Sequence, residues 1–436
     1  MRRPSAPSRR AFLAGAATTG TAALAGCTAA YGVVPDRFVY ARTHRRGVPK
    51  VPAAVETSDA HLEATADEIA DYAARGLEAW ERIDEPSPTI RYSSRVLERA
   101  AEFAEALPTE PPTVDTVESM GYYLSRAAGG YAYAVDQTDG FDGDPTADVD
   151  AWLEEAAHLH GEFAYETDDP ETFLAYGRSI EYSLQQASAG LSRRADADVN
   201  EHDSRSAEDQ LAQIYSSVQR SRLRVLDAAA YRETLRERDA GGEPFRDAIV
   251  GRRAVLRDHV DDRLADHEAW SDRFDSLEGE RRDVQSALYS RSHGWRSNAR
   301  AAERHVENGY EVYGTTVLAE CWLGLEAARA ERERIEDDGT DALDAVVVDE
   351  TKRDAVDRLE RALDDEPGPM TRHLLSTCRS HVEWGDRGIE RGQQEDDDED
   401  RRWNRANGYA HYLLARGMLE RVPDLVATLT DGRDRY

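Results

Sequence analysis

Three residues of one predicted helix come closest to a metal-binding arrangement. Glu155, His158 and Glu162 are spaced by three and four residues, so a helix places them on one face. A di-iron bundle takes two Glu-x-x-His motifs and two further glutamates around one core. None of the other eleven histidines has a glutamate three positions before it. Because the second half of such a centre is missing, the sequence predicts no metal ion and no cofactor.

The other closely spaced histidines do not form a site either. His158 and His160 point about 200° apart on a helix, so they cannot bind the same ion. His373, Cys378 and His381 spread too widely around a helix for tetrahedral zinc, since only the last two lie near each other. The interpretation for these histidines is therefore exposed or core-edge side chains.

The motifs of common enzyme classes are also missing. The acidic run 395–400 lacks the glycine turn and the ordered spacing of a calcium loop. The chain has no Gly-x-Ser-x-Gly elbow, no phosphate-binding glycine loop and no His-Glu-x-x-His motif. These absences count against the usual hydrolases and nucleotide-binding enzymes. A site assembled from distant helices is not excluded, and no catalytic residue is assigned.

The N-terminal segment indicates where the protein is sent. No charged side chain occurs between Ala11 and Gly26, and four arginines precede this stretch. A basic start, an apolar middle and a small-residue end are typical of a secretory signal peptide. The apolar run is shorter than the roughly 20 residues that a membrane-spanning helix needs. The alternative, an ordinary N-terminal helix, would leave apolar residues without a polar face.

Two short motifs within this segment resemble known export signals. The twin-arginine export signal is matched by Arg9, Arg10, Phe12 and Leu13. A lipoprotein cleavage box is matched by Leu24, Ala25, Gly26 and Cys27. The resemblance implies that residues 1–26 are removed and that a lipid is attached to the sulfur of Cys27. It covers only about thirty residues of the chain. It implies a membrane partner through the lipid and a location on the extracytoplasmic face of the cell membrane.

Residues 27–57 are expected to form a tether between the lipid and the folded body. Within 28–50 the basic residues outnumber the single acid, Asp36, and leave a net charge of +4. One acyl chain holds a protein only marginally, so a second attraction matters. A basic segment is attracted to anionic lipid headgroups. A flexible tether without lipid contact is the alternative.

The composition indicates a protein adapted to concentrated salt. The chain has 86 acidic and 55 basic residues, a net charge of −31, and Lys50 and Lys352 are its only lysines. This combination resembles proteins of extremely halophilic archaea. Dense carboxylates stay hydrated, and salt screens their mutual repulsion. The acidic surface excludes nucleic acid as a partner, since binding it requires a basic surface.

Apolar residues recur every three or four positions from Ser58 onward, which predicts an all-α protein. We expect an N-terminal helical region at 58–195, a central region of long antiparallel helices at 196–338 and a C-terminal region at 339–436. A multi-helix bundle and an irregular helical-hairpin solenoid both agree with this pattern. The pattern predicts one long helix over 280–335, bent near Gly294 or Gly309. The absence of strand–helix–strand units argues against the two-lobed binding lipoproteins.

Two features of the helical region are left open. Cys321 and Cys378 could form a disulfide outside the cell, or be two buried free thiols within apolar faces. Glycine and tyrosine recur together at 121–133, 309–313 and 408–412. Because tyrosine can pack its ring and hydrate its hydroxyl, a groove near these stretches is a candidate contact surface.

The functional hypothesis is a lipid-anchored helical interaction or scaffold protein with a protein partner at the cell surface. The alternative is a surface-anchored helical enzyme or small-ligand carrier with a site between helices. A shallow apolar groove would favour the first class. A deep cavity with converging histidine, arginine and carboxylate groups would favour the second.

Overall fold

Helices make up nearly all of the chain that the computed structural model describes, namely residues 36–84, 92–107, 114–195, 206–239, 241–271, 279–338 and 343–431. The first seven are α1 (Asp36–Thr43), α2 (Asp59–Trp80), α3 (Ser94–Ala106), α4 (Val114–Thr138), α5 (Val149–Gly161), α6 (Pro170–Ala195) and α7 (Ala207–Arg238). The next six are α8 (Arg246–Ser271), α9 (Gly279–Glu307), α10 (Glu311–Asp338), α11 (Ala345–Asp364), α12 (Pro369–Gln394) and α13 (Asp398–Asp431). Within the described ranges the strands are β1 (Glu166–Thr167) and β2 (Glu243–Pro244), paired antiparallel. The predicted all-α fold is confirmed, and its form is a helical bundle.

Among the described helices, none combines the length and the apolar character that a membrane span requires.

The N-terminal part of the bundle is formed by α2, α3, α4 and α7, packed around small residues. Gly76 of α2 and Gly130 of α4 both face the side chain of Leu97 on α3, where a Cβ atom would approach it to 2.9 and 2.8 Å. The Ser58 hydroxyl accepts a hydrogen bond from the backbone N–H of His61 at 3.2 Å. Ser58 is thus the N-cap of α2, as its position before the first apolar residues predicts.

The long helix predicted over 280–335 is in fact two helices. Gly309 adopts a φ of +88°, and the helix breaks there between α9 and α10. This left-handed conformation is open to glycine at little cost, which explains why the chain turns back at this point. After the break α10 runs antiparallel to α9, so that Trp295 packs against Gly324 and Arg281 donates to the Ile335 carbonyl.

Helices α12 and α13 approach each other through glycines. Gly385 and Gly388 of α12 face Gly408 of α13. A Cβ atom on Gly388 would lie 2.7 Å from the Gly408 Cα, and one on Gly408 would lie 2.7 Å from the Gly385 carbonyl oxygen. Because backbone lies on both sides of the contact, neither helix can yield by rotating a side chain.

Replacing Gly388 by alanine is expected to lower the free energy of unfolding by about 1–3 kcal/mol, since the added methyl group forces the two backbones apart. Gly251, in α8, is a matched control because a Cβ atom at that position would have no neighbour within 4 Å. Gly251→Ala is expected to add about 0.5–1 kcal/mol. Chemical unfolding in molar salt, followed by circular dichroism, measures both. A Gly388→Ala protein as stable as Gly251→Ala would contradict this contact.

The described part of the expected tether, residues 36–57, is folded against the body. Tyr40 is buried and donates from its hydroxyl to the Leu343 carbonyl at 2.5 Å. Thr43 and Arg42 hydrogen-bond to the buried carboxylate of Asp349, at 2.9 and 2.8 Å. The reason is the burial of apolar side chains by this segment, including Val39, Val51, Ala53 and Val55. Residues 27–35 of the expected tether lie outside the described residues.

Lys352, one of the two lysines, connects segment 36–57 to α11 and α12 through hydrogen bonds. Lys352 is fully buried, and its ammonium group donates to the carbonyls of Thr43 and Arg46, both at 2.8 Å, and to Asp386 at 2.6 Å. Tyr412 also donates to Asp386 at 2.6 Å. Each N–H of the ammonium group therefore has its own acceptor.

The predicted export residues lie outside the described residues. They are Arg9, Arg10, Phe12, Leu13, Leu24, Ala25, Gly26 and the lipid-attachment residue Cys27. The alternative left open for the other two cysteines is resolved, because Cys321 and Cys378 are buried free thiols. Burial raises the pKa of both, so they are protonated apolar groups of the core.

Candidate functional site

A cavity of about 540 Å³ lies where the N-terminal and C-terminal halves of the bundle meet. Its walls are α6, α7 and α12, and the non-helical segment 53–55 closes one side. Cavities of this size hold small molecules, and sites between domains are a frequent place for them. The bundle thus contains a space that its apolar side chains do not fill.

Arginine side chains carry most of the charge in the wall of this cavity. Arg178 of α6 and Arg220 and Arg224 of α7 line it, and no aspartate or glutamate is among its described lining residues. Arg220 forms no ion pair with any described residue, whereas Arg224 lies 3.7 Å from Asp227. The sign of charge in this cavity is therefore opposite to that of the chain as a whole, whose net charge is −31. The cavity therefore carries positive charge that the described structure only partly neutralises.

A partly buried three-residue cluster joins the two halves at the cavity wall. Arg178 of α6 donates to Glu320 of α10 through Nε at 3.2 Å and Nη2 at 3.0 Å. His373 of α12 lies with Nε2 2.7 Å from the same Glu320 oxygen. Since a carboxylate only accepts, the Nε2–H of His373 is the donor. The cluster fixes the positions of Arg178 and His373 at the cavity wall.

The charge states of the cluster follow from its surroundings. Burial raises the pKa of Glu320, but the Arg178 charge and the His373 hydrogen bond outweigh burial and lower this pKa to about 2. Burial and the Arg178 charge lower the pKa of His373. At neutral pH the pair is a carboxylate beside a neutral imidazole. A carboxylate held this strongly is a poor general base, because it has little affinity for a proton.

Hydroxyl groups cover the remaining wall. Ser183 of α6 and Ser376 of α12 line the cavity, and their hydroxyls hydrogen-bond to no described residue. Thr377 and Ser380 donate to carbonyls of their own helix, at 3.4 and 3.1 Å. Hydroxyls can donate to an anion or accept from a ligand hydroxyl. The cavity thus offers neutral hydrogen-bonding groups around its arginines.

Segment 53–55 is held in place from both halves. The Ala53 carbonyl accepts from Arg372 of α12 at 3.1 Å. Further along the chain, the backbone N–H of Glu56 donates to the Tyr176 hydroxyl of α6 at 3.0 Å. The polypeptide that follows the expected lipid attachment site therefore becomes part of the cavity wall.

The histidines and acidic residues considered as metal ligands in the sequence analysis lie in separate places and do not form one site. Glu162 pairs with Arg232 at 2.6 Å and lies 3.6 Å from His158, which is at the surface. His373 contacts Glu320, while His381 contacts His411, so the two histidines near Cys378 serve separate clusters. Among the residues that the structure describes, no group of three or more histidine, cysteine or acidic side chains is arranged to hold a metal ion.

The three tyrosine-rich stretches do not form one groove. Tyr131 contacts Tyr72 and Tyr215, Tyr313 contacts Tyr182, and Tyr412 is buried beside Asp386. None of the tyrosines in these stretches is among the residues lining the cavity. The cavity residues themselves follow the helical period, with Arg220 and Arg224 four apart and Ser376 and Ser380 four apart. That spacing was visible, but nothing in the sequence says that these pairs face each other.

Comparison with protein families divides the chain at the same junction. Residues 60–241 match the model of a domain of unknown function, DUF8262. Residues 246–431 match the model of a second domain of unknown function, DUF8264. No curated protein and no solved structure matches the chain. The cavity lies between the two matched regions, since Arg178, Arg220 and Arg224 belong to the first and His373 to the second.

Proposed function

We propose that this chain is a lipid-anchored protein of a halophilic archaeon that binds a small anionic solute on the extracytoplasmic face of the membrane. The binding site is the cavity between α6, α7 and α12. This proposal selects the small-ligand carrier over the scaffold expected from the sequence. The observation that carries it is a cavity lined by three arginines and by no described acidic residue, in a strongly acidic chain.

Concentrated salt leaves only short-range contacts of the ligand intact. At about 1 M salt the screening length is about 3 Å, so distant charges no longer attract a ligand. Direct contacts between guanidinium and carboxylate or phosphate groups persist, because they are hydrogen bonds as well as ion pairs. The ligand class is therefore a compact carboxylate or phosphate with hydroxyl groups. The serine and threonine hydroxyls would bind its neutral part.

Acid–base catalysis is the weaker interpretation of the same cavity. Glu320 is held as a carboxylate by Arg178 and His373, with a pKa of about 2. His373 donates its Nε2–H to that carboxylate. Both groups are thus engaged in holding Arg178, which favours binding over proton transfer.

Anion binding is tested by calorimetry on the full chain in molar salt, with citrate and inorganic phosphate as the probes. Arg220→Gln is expected to weaken binding about 10- to 100-fold, the cost of one charge-assisted hydrogen bond. Arg300→Gln is the matched control, since Arg300 is exposed, lies outside the cavity and pairs with no described residue. Failure of both probes to bind the wild type, or equal binding by Arg220→Gln, would contradict the proposal.

The lipid anchor has its own test. Cys27→Ser removes the sulfur that would carry the lipid, so the protein is expected to leave the membrane fraction or to remain unprocessed. Thr28→Ser is the control, because it changes the next residue and keeps the thiol. Fractionation in molar salt and mass spectrometry of the N-terminus provide the measurement. Unchanged membrane retention of Cys27→Ser would count against the anchor.

A further inference from the structure

A second cavity, of about 550 Å³, lies between α9, α12 and α13. It adjoins the first, since Thr377 contributes to the walls of both. Its lining is different in kind, with two tryptophans, two histidines, three asparagines and three arginines. Glu320 is the one acidic residue among its described lining residues, and its carboxylate is already paired with Arg178 and His373. It falls wholly within the region 246–431, so it does not depend on the junction between the matched regions.

Flat aromatic rings form one side of this cavity. Trp384 of α12 is 44% exposed, and its ring centroid lies 5.1 Å from His381 and 5.5 Å from His411. Trp295 of α9 lies 6.2 Å from His381. Its ring is held against Gly324, where a Cβ atom would overlap it. An exposed indole on such a fixed aromatic base leaves a ring face available for stacking.

The two histidines in this base are neutral rings. Their Nδ1 atoms are 3.2 Å apart, so one donates to the other. Burial lowers the pKa of His381 to about 4, and burial together with His381 lowers the pKa of His411 to about 2. The base beneath Trp384 is therefore uncharged at neutral pH.

Polar groups surround the aromatic base. Arg387 and Arg391 line the cavity and form no ion pair with any residue in the described part of the chain. The side-chain amides of Asn298 and Asn404 likewise hydrogen-bond to no described residue. Asn407 is already used, because it accepts from Arg291 at 2.9 Å and donates to the Trp403 carbonyl at 3.1 Å. Two cations and two amides are thus left to meet a ligand.

We propose that this second cavity binds a planar aromatic anion, such as an aryl carboxylate or a nucleotide. The ring stacks on Trp384, the anionic group binds Arg387 and Arg391, and the amides of Asn298 and Asn404 hydrogen-bond the ring edge. This site goes beyond the proposed function, because none of these residues lines the first cavity.

The test uses calorimetry on the full chain in molar salt with paired probes. Indole-3-carboxylate is compared with cyclohexanecarboxylate, and adenosine monophosphate with ribose 5-phosphate, so each pair differs in the aromatic ring. We expect at least one aromatic probe to bind about tenfold more tightly than its partner, the size of one stacking contact. Which pair responds distinguishes an aryl carboxylate from a nucleotide.

Variants locate the binding. Trp384→Leu and Arg387→Gln are each expected to weaken binding of the aromatic probe about tenfold. Trp403→Leu is the matched control, because Trp403 is similarly exposed, at 39%, and does not line the cavity. Arg220→Gln is expected to leave this binding unchanged, which separates the two sites. The proposal is overturned if neither aromatic probe binds better than its partner, or if Trp384→Leu binds as the wild type does.

Discussion

Replacing Lys352 by methionine is expected to lower the free energy of unfolding by about 3–5 kcal/mol, the cost of removing one partner of a buried ion pair. Asp386 would keep only Tyr412 as a described donor, and the carbonyls of Thr43 and Arg46 would lose theirs. The loss should also release residues 36–57 from the body. Chemical unfolding in molar salt measures stability, and limited proteolysis reports the release.

Lys352→Arg gives the sharper test, since it keeps the charge. An ammonium group directs three N–H bonds to three separate acceptors, whereas a guanidinium group is a planar fork. We therefore expect the arginine variant to be destabilised too, although the rest of the chain uses arginine almost exclusively. Lys50→Arg, at the other lysine and exposed, is the control and should be neutral. A Lys352→Arg protein with wild-type stability would show that charge alone explains this residue.

Acidification is expected to destabilise the fold through the His381–His411 pair. Both pKa values are lowered from 6.5, to about 4 and about 2, so the unfolded chain binds more protons than the folded one below pH 6.5. Stability must then fall as the pH falls from about 6.5 towards 4. At pH 5 the cost is about 2 kcal/mol for each histidine, from 1.36 kcal/mol per pH unit over about 1.5 units.

The measurement compares how much the free energy of unfolding falls between pH 7 and pH 5 in the wild type and in variants. The double variant His381→Asn, His411→Asn keeps a polar atom near each Nδ1 and cannot be protonated. Over this range the free energy of unfolding of the double variant should fall by about 4 kcal/mol less than that of the wild type. Other groups, such as Glu181 with its raised pKa, contribute a pH dependence of opposite sign, but they are present in both proteins and cancel in the difference. His158→Asn is the control, because His158 is 60% exposed. Equal slopes for the wild type and the double variant would contradict neutral burial of the pair.

The sequence predicts the local structure well because local physics determines it. The period of three and four residues predicts the helices, and Ser58 before Asp59 predicts an N-cap. The three valines at 346–348 lie in the first turn of α11, which Asp344 caps by accepting from the backbone N–H of Val346 at 2.7 Å. In that place a cap and the helical pattern outweigh a preference for strand.

Long-range pairing could not be predicted in the same way. The folding back of residues 36–57 depends on contacts such as Tyr40 with Leu343, some three hundred positions apart. The site depends on Arg178, Glu320 and His373, which come from three helices. With 86 acids and 53 arginines, many such pairs are equally consistent with the sequence. Only packing selects the few that meet.

Anion binding is tested at its source by identifying the small molecule that the native protein carries. The chain would be purified from its own membranes in molar salt, and the bound small molecules released and identified by mass spectrometry. We expect a compact carboxylate or phosphate in stoichiometric amount in the wild type. It should be strongly depleted in an Arg220→Gln, Arg224→Gln variant that keeps its helical circular dichroism. A wild-type protein free of any bound anion, or an anion retained equally by the variant, would contradict this expectation.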